Sequence, residues 1–409
     1  MQAMEIIDGH EHLGPESERI SKPVDFFSLF SHWPYIGRDL ELAGMKPADH
    51  ARLLDQALSL EERWKLFEPY WKRVELTSFA RPIRIAAERF YGADHFDAGN
   101  IAKISQAMAA ANKPGLYDQV LRDACKIRLC IDDVGTTDVR KDLFIPILRF
   151  LMDDFESWER LSNPRFSPGT KVATLDAFVE CCKAYVLKIK QEGAVGLKMA
   201  ALNYSAADRG KALSAFNALR DGKLERLGAP NGYLMFQPSN PLRDYVVDEI
   251  IRFAGAQGFV IAMHIGFWGD FRNVSPLNII PLLQRFPKVR FDLFHLGYPF
   301  IRETLMLGKG FPNAWINFCW MHIISQSGAC AALDEAIDLL PSNKILGFGG
   351  DYGSEAVESV YGHLVMAREN IASVLARRIE AGSLSEKQAQ GLIKQWLWDN
   401  PRDLYRLEV

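Results

Sequence analysis

The sequence predicts an α/β fold, a (β/α)8 TIM barrel with a helical insertion after strand 1 and a helical C-terminal tail. Three observations predict it. Short apolar runs, eight in all, alternate with helical stretches, which is the pattern of a parallel sheet covered by helices. The last four runs recur at intervals of roughly 25 to 35 residues, the size of a βαβ unit. The chain is 409 residues long, enough for one large barrel carrying insertions.

In chain order the strands are expected at 4–10 (MEIIDGH), 126–134 (KIRLCIDDV), 143–150 (LFIPILRF), 194–200 (AVGLKMA), 259–266 (FVIAMHIG), 290–297 (RFDLFHLG), 314–320 (AWINFCW) and 344–351 (KILGFGGD). The third run also reads as an extended loop. Between the first and second strands lie more than a hundred residues with no strand-like run. There DFFSLFSHWPYIGRDLELAGM, SLEERWKLFEPYWKRVE and PIRIAAERFYG carry aromatics and charges at helical spacing. They define an insertion at about 15–120, expected to pack over one mouth of the barrel. A shorter helical excursion (206–226) follows the fourth strand, and the tail (355–409) is helical. Ser385, followed by Glu386, is placed to cap the final helix pair. With no repeat, low-complexity run or linker, a single domain over 1–409 is expected.

Composition narrows the function classes. Hydrophobic residues make up 48%, enough for a sizeable core. The net charge of −3 and a pI near 6.3 give no support to nucleic-acid binding. No apolar run reaches transmembrane length, and the first strand begins so close to Met1 that neither a membrane anchor nor a signal peptide is expected. The six cysteines (125, 130, 181, 182, 319, 330) form no CxxC pair and sit among apolar neighbours, as reduced core thiols of a cytoplasmic protein would. The expected partners are a small-molecule substrate and further copies of the chain, with no nucleic acid and no membrane.

The strand ends carry the chemistry. His10 and His12 are two apart at the end of the first strand, so both imidazoles look one way while Glu11 looks the other. His264 ends AMH, His295 ends LFH, Asp351 ends GFGGD, and Lys198 lies in GLKMA. In a parallel barrel the C-terminal ends of all strands share one face. Imidazoles with a carboxylate suit Zn²⁺, with Mn²⁺ or Fe²⁺ as alternatives, and leave an open position at which water is acidified. Each residue also has a plainer reading: a core histidine, a helix-capping Asp, a lysine reaching to solvent. Their joint occurrence at strand ends favours the metal.

The motifs DGHEH, GLKMA, MHIG, FHLGYP and GFGGD resemble the amidohydrolase superfamily of metal-dependent (β/α)8 barrels, over nearly the whole chain. The order SPLNIIPLLQRFPKVRFDLFHLGYP, NFCWMHII, LLPSNKILGFGGD is similar to the amidohydrolase-2 branch, and the helical insertion is similar to that of uronate isomerases. The resemblance implies that His10, His12, His264 and Asp351 hold a divalent metal, one or two per chain, and that Asp351 is also the base. It implies that His295 binds a second metal or polarises the substrate. Lys198 matches a lysine that is carboxylated and bridging in binuclear members and is not a ligand in many mononuclear ones.

Other polar residues are candidates for substrate contact. Trp320 and His322 follow the seventh strand, Tyr298 and Arg302 follow the sixth, and Arg38 lies in the insertion, where an arginine could grip a carboxylate with two hydrogen bonds. Aromatic packing is the equal alternative for Trp320 and His322. His32, His50, His95 and His363 receive no role. The expected activity is hydrolysis of a C–N or C–O bond (amide, lactone or ester) in a small, carboxylate-bearing molecule. The alternative is a non-hydrolytic reaction of the same superfamily, uronate isomerisation or metal-dependent decarboxylation.

Overall fold

The computed structural model describes residues 1–30, 33–149, 156–200, 203–228, 238–267 and 270–409. Eight strands form one parallel sheet in the order β1 to β8, a (β/α)8 barrel. They are β1 Ile6–Glu11, β2 Ile127–Asp132, β3 Phe144–Arg149, β4 Gly196–Ala200, β5 Val260–His264, β6 Arg290–Phe294, β7 Ala314–Asn317 and β8 Ile345–Leu346. Every expected strand is present, and LFIPILRF is a strand, not a loop. The later strands end earlier than their apolar runs. His295, Trp320 and Asp351 all take positive φ of 62–63°, a region that a Cβ disfavours by crowding the backbone and that cannot continue a strand. At β8 the ladder is lost by Gly347, whose N–H donates to the Trp396 carbonyl (2.8 Å).

Two compact units are distinguished by their internal packing. The first comprises Met1–Asp132, Trp320–Leu333 and Phe348–Ile393. Within it β1 is buried along its whole length and pairs with β2, Ile6 opposite Ile127 and Glu11 opposite Asp132. On its other side β1 bonds the 348–353 segment: Gly9 N to Phe348 O (3.0 Å), Asp351 N to His10 O (2.8 Å), and a parallel bridge between His12 and Gly353.

From β1 to β2 the described residues contain helices and turns and no strand. Helix Leu60–Val74 starts at a capping box in which Ser59 and Glu62 exchange side-chain and backbone bonds. Its Trp64, Phe67 and Trp71 lock into Phe26, Phe30 and Phe96, with ring centroids 4.7–6.2 Å apart. The stretch expected as one helix from DFFSLF onward is instead a 3₁₀ turn (Phe26–Phe30), a π-helical turn (Trp33–Gly37) and a short α-helix (Arg38–Leu42). Positions 31 and 32, and with them His32, lie outside the described residues. The tail helix Val357–Glu380 packs on helix Ala80–Tyr91 so closely that a Cβ at Gly362 would meet the Pro82 carbonyl oxygen at 2.0 Å. Tyr91 Oη donating to Glu358 (2.6 Å) fastens the same helices, and Arg19, on helix Glu16–Ile20, adds a buried pair with Glu358 (2.9 Å).

The second unit comprises Asp133–Cys319, Asp334–Gly347 and Lys394–Val409. Its register sets Lys198, Ala262 and Asp292 side by side on β4, β5 and β6, with Ala200, His264 and Phe294 level two residues further on. The excursion after β4 is helix Arg209–Arg220, begun by Asp208, whose side chain accepts from Lys211 N. Further along the chain, the helix Glu386–Lys394 begins at Ser385, as expected, with Gln388 completing the box: Gln388 N donates to Ser385 Oγ and Ser385 N to Gln388 Oε1.

Candidate metal centre

In the first unit the alternation of β1 turns His10 and His12 to one side, with Nε2 atoms 3.1 Å apart. Asp351 Oδ1 lies 3.4 Å from His10 Nε2 and 3.0 Å from His12 Nε2. Ligands about 2.0–2.2 Å from a tetrahedral ion stand roughly 3.3–3.5 Å from one another. The triangle therefore has the dimensions of a metal site. His10 is fully buried, while the His12 side chain keeps 26% exposure, so the cluster is reachable from one side.

Two carboxylates behind the triangle hold it. Asp8 Oδ1 accepts from His10 N (3.0 Å) and Gly350 N (3.1 Å), and Glu11 Oε2 accepts from Tyr352 N (2.8 Å). They tie the strand bearing two ligands to the segment bearing the third. Burial pushes the Asp8 carboxyl up to about 6, and burial with the neighbouring Asp8 charge raises Glu11 well above the carboxylate range. A carboxyl pair this buried resists carrying two charges, and Glu11 is the member pushed further up. Gly350 makes room for it, since a Cβ there would sit 1.8 Å from Glu11 Oε1.

A third support is His363, whose Nδ1 lies 3.2 Å from the Gly350 carbonyl. Burial keeps its pKa well below the usual value, so it is neutral and Nδ1–H donates. Sequence reasoning passed over Asp8, Glu11 and His363. The one available signal was two carboxylates flanking the histidines in an otherwise apolar strand.

Around Asp351 the walls are aromatic. Tyr35 Oη donates to the Asp351 carbonyl. Tyr35 also packs on Trp320 and Tyr352 at centroid distances of 4.9 and 5.1 Å. Trp320 is buried, with N–H to Gly349 O (3.0 Å). His322 is fully buried beside His363, ring centroids 6.1 Å apart. Arg38 is half exposed and pairs with Glu41 (3.2 Å).

In the second unit His264 Nδ1 and His295 Nε2 face each other at 3.0 Å. The other ring nitrogens are occupied: His264 Nε2 lies 2.7 Å from Phe267 O and His295 Nδ1 3.1 Å from Cys319 O. A carbonyl only accepts, so those two nitrogens carry the hydrogens of neutral rings. The facing pair then presents lone pair to lone pair, an arrangement that a shared cation satisfies. Carbonyls that fix the tautomer of a ligating histidine are the usual outer support of a metal. The donor set thus fits a divalent ion.

Lys198 is buried, its Nζ 4.3 Å from the centre of the Phe294 ring. Its charge also favours the ionised form of Asp292, whose Oδ2 accepts from Asn317 Nδ2 (3.0 Å) and Tyr405 Oη (2.7 Å). Tyr298 is half-buried. Arg302 is 81% exposed and pairs with Glu335 (3.1 Å). The structure therefore gathers His10, His12 and Asp351 in one unit and His264 and His295 in the other, and it places Arg38 and Arg302 in surface ion pairs. None of the six cysteines is in a disulfide. Among the described residues no helix is long and apolar enough to cross a membrane.

A family model described as Amidohydrolase matches residues 227–407. The chain is 23% identical over 176 residues to Protein fluG of Emericella nidulans; the match takes in 41% of this chain and 20% of that protein's length. Among solved structures, uronate isomerase of Thermotoga maritima superposes with a TM-score of 0.77 at 17% identity, over 99% of this chain and 95% of that one. Glucuronate isomerase of Caulobacter crescentus gives 0.77 at 18%, over 100% and 92%. A protein of Lactobacillus casei described as a metal-dependent hydrolase gives 0.67 at 19%, over 100% and 98%.

Proposed function

We propose that this chain, a (β/α)8 barrel matched by the Amidohydrolase family model over residues 227–407, is an amidohydrolase-superfamily, metal-dependent hydrolase cleaving a C–N or C–O bond of a small, carboxylate-bearing molecule. The observation that carries the reading is the triangle of His10, His12 and Asp351, spaced as ligands of one ion. A divalent cation bound there, Zn²⁺ before Mn²⁺ or Fe²⁺, would supply Lewis-acid polarisation and acidify water. Asp351 would accept the proton of the attacking water and return it to the leaving group. Asp8 and Glu11 would hold Asp351 in place through the backbone on either side of it. His264 is proposed as a further ligand on the strength of its lone-pair geometry. Lys198 is proposed to stabilise charge developing on a carbonyl oxygen, and His295, whose Nε2 lone pair faces His264, is proposed to bind a metal. Trp320, His322 and Tyr298 are proposed to contact the substrate.

A second reading is isomerisation of a uronic acid. The likeness to two uronate isomerases runs over the whole chain, helical insertion included. Turnover in ¹⁸O-water, screening amides, lactones and uronic acids, separates the two. Hydrolysis places label in the new carboxyl group. A product isomeric with its substrate, or one smaller by carbon dioxide, would refute hydrolysis.

A further inference from the structure

A chain of side chains in the first unit runs inward to His322. Arg81, on helix Ala80–Tyr91, donates from Nη1 to Gln326 Oε1 (2.6 Å) and is anchored from Nη2 to Glu369 Oε2 (2.7 Å). Gln326 Nε2 donates to Asn370 Oδ1 (3.3 Å), and Asn370 Nδ2 lies 3.2 Å from His322 Nδ1. Asn370 and His322 are both buried.

The direction of this chain is not free. A guanidinium has donors and no acceptor, so the atom of Gln326 that meets Arg81 must be its carbonyl oxygen. The amide nitrogen of Gln326 then faces Asn370 and requires an oxygen there. Asn370 in turn presents its NH₂ group to His322, and Nδ1 must accept. The reverse polarity would set the NH₂ of Gln326 against the guanidinium, donor on donor.

We propose that Arg81, Gln326 and Asn370 are positioning residues that fix His322 as a neutral imidazole with its proton on Nε2. Protonation of Nδ1 would set an N–H against the Asn370 NH₂ group, so the same chain also opposes the doubly protonated ring. His322 is thereby held as a hydrogen-bond donor through Nε2, on the helix Met321–Ile324 that immediately follows Trp320. In the enzymatic reading above, on which this clause alone rests, a ring held in this form acts as a hydrogen-bond donor and not as a general base. The polarity of the chain does not depend on that reading.

The test is long-range ¹H–¹⁵N correlation NMR on the protein as purified, labelled with ¹⁵N-histidine, the His322 signals being assigned from the spectrum of His322→Gln. The expected result is a pyrrole-type Nε2 and a pyridine-type Nδ1. The discriminating variant is Gln326→Glu, which keeps the shape but can only accept. It still takes the Arg81 bond, and it turns Asn370 over so that Oδ1 faces His322. The tautomer then reverses, with the proton on Nδ1, although the substituted residue does not touch the ring. Asn370→Asp makes the same reversal directly and serves if Gln326→Glu fails to fold. A wild-type His322 protonated on Nδ1, or a tautomer unchanged in the folded variants, would overturn the proposal. Loss of hydrolysis or isomerisation as the reaction would leave these spectra unaffected, so the two failures are distinguishable.

Discussion

Asp292 gives the sharpest test of the electrostatics inside the barrel strands. It is fully buried on β6, and burial pushes its carboxyl from an ordinary 3.8 up to about 7, against the opposing pull of Tyr405, Asn317 and Lys198. The folded protein therefore holds this proton more tightly than the unfolded chain does. Stability from this group is fully present below about pH 3.8 and is lost as pH rises through about 7. The full loss is about 4 kcal/mol at roughly 1.4 kcal/mol per unit. Between pH 5 and 8 it amounts to about 2.5 kcal/mol. Asp292→Asn removes the titration while its side-chain oxygen can still accept from Tyr405 and Asn317. Unfolding free energies of the wild type and Asp292→Asn, measured in urea at both pH values, isolate the group because every other titration cancels in the difference. The wild type should lose about 2.5 kcal/mol relative to the variant on going from pH 5 to 8. A difference that is flat with pH, or that moves the other way, refutes the account of Asp292 as a carboxyl kept protonated by burial.

Protein purified without chelator should carry at least one equivalent of divalent metal by elemental analysis, and Asp351→Asn should keep the fold and much of the metal while abolishing turnover; a metal-free sample that is fully active would contradict the triangle's role. Gly350→Ala drives a methyl group into Glu11 Oε1 and breaks the clamp on Tyr352 N, so zinc affinity by calorimetry should fall about 10–100-fold. Ser59→Ala removes the capping box of helix Leu60–Val74 and should cost about 1 kcal/mol of stability, with metal content unchanged. Phe67→Ala, in the centre of the aromatic cluster, should cost about 3–5 kcal/mol by denaturant titration.

What the sequence discloses and what it hides divides along physical lines. The eight strands are readable because each is a buried apolar run, and the paired histidines because a strand repeats every two residues. Strand ends are misjudged where His295, Trp320 and Asp351 turn into positive φ, since no composition marks a non-glycine residue that will adopt it. The insertion divides in the same way. Ser59 and Glu62 announce the helix Leu60–Val74, while the run from Phe26 carries aromatics too dense to show that it breaks into short turns. Asp8 and Glu11 look like ordinary acidic residues because their partners, Gly350 and Tyr352, lie 342 and 341 positions away. The orientation of His322 is hidden for the same reason, being set by Arg81 from another part of the chain.

The pairing of β1 with the 348–353 segment has a consequence for the order of events during synthesis. His10 and His12 leave the ribosome some 340 residues before Asp351, roughly 17–70 s earlier at 5–20 residues per second. In that interval a metal ion meeting the nascent chain finds the two imidazoles without Asp351. The three-ligand triangle comes into being only when the late segment docks along β1, the step that also buries Asp8 and Glu11. Metal capture at the proposed triangle therefore waits for the 348–353 segment to pair with β1.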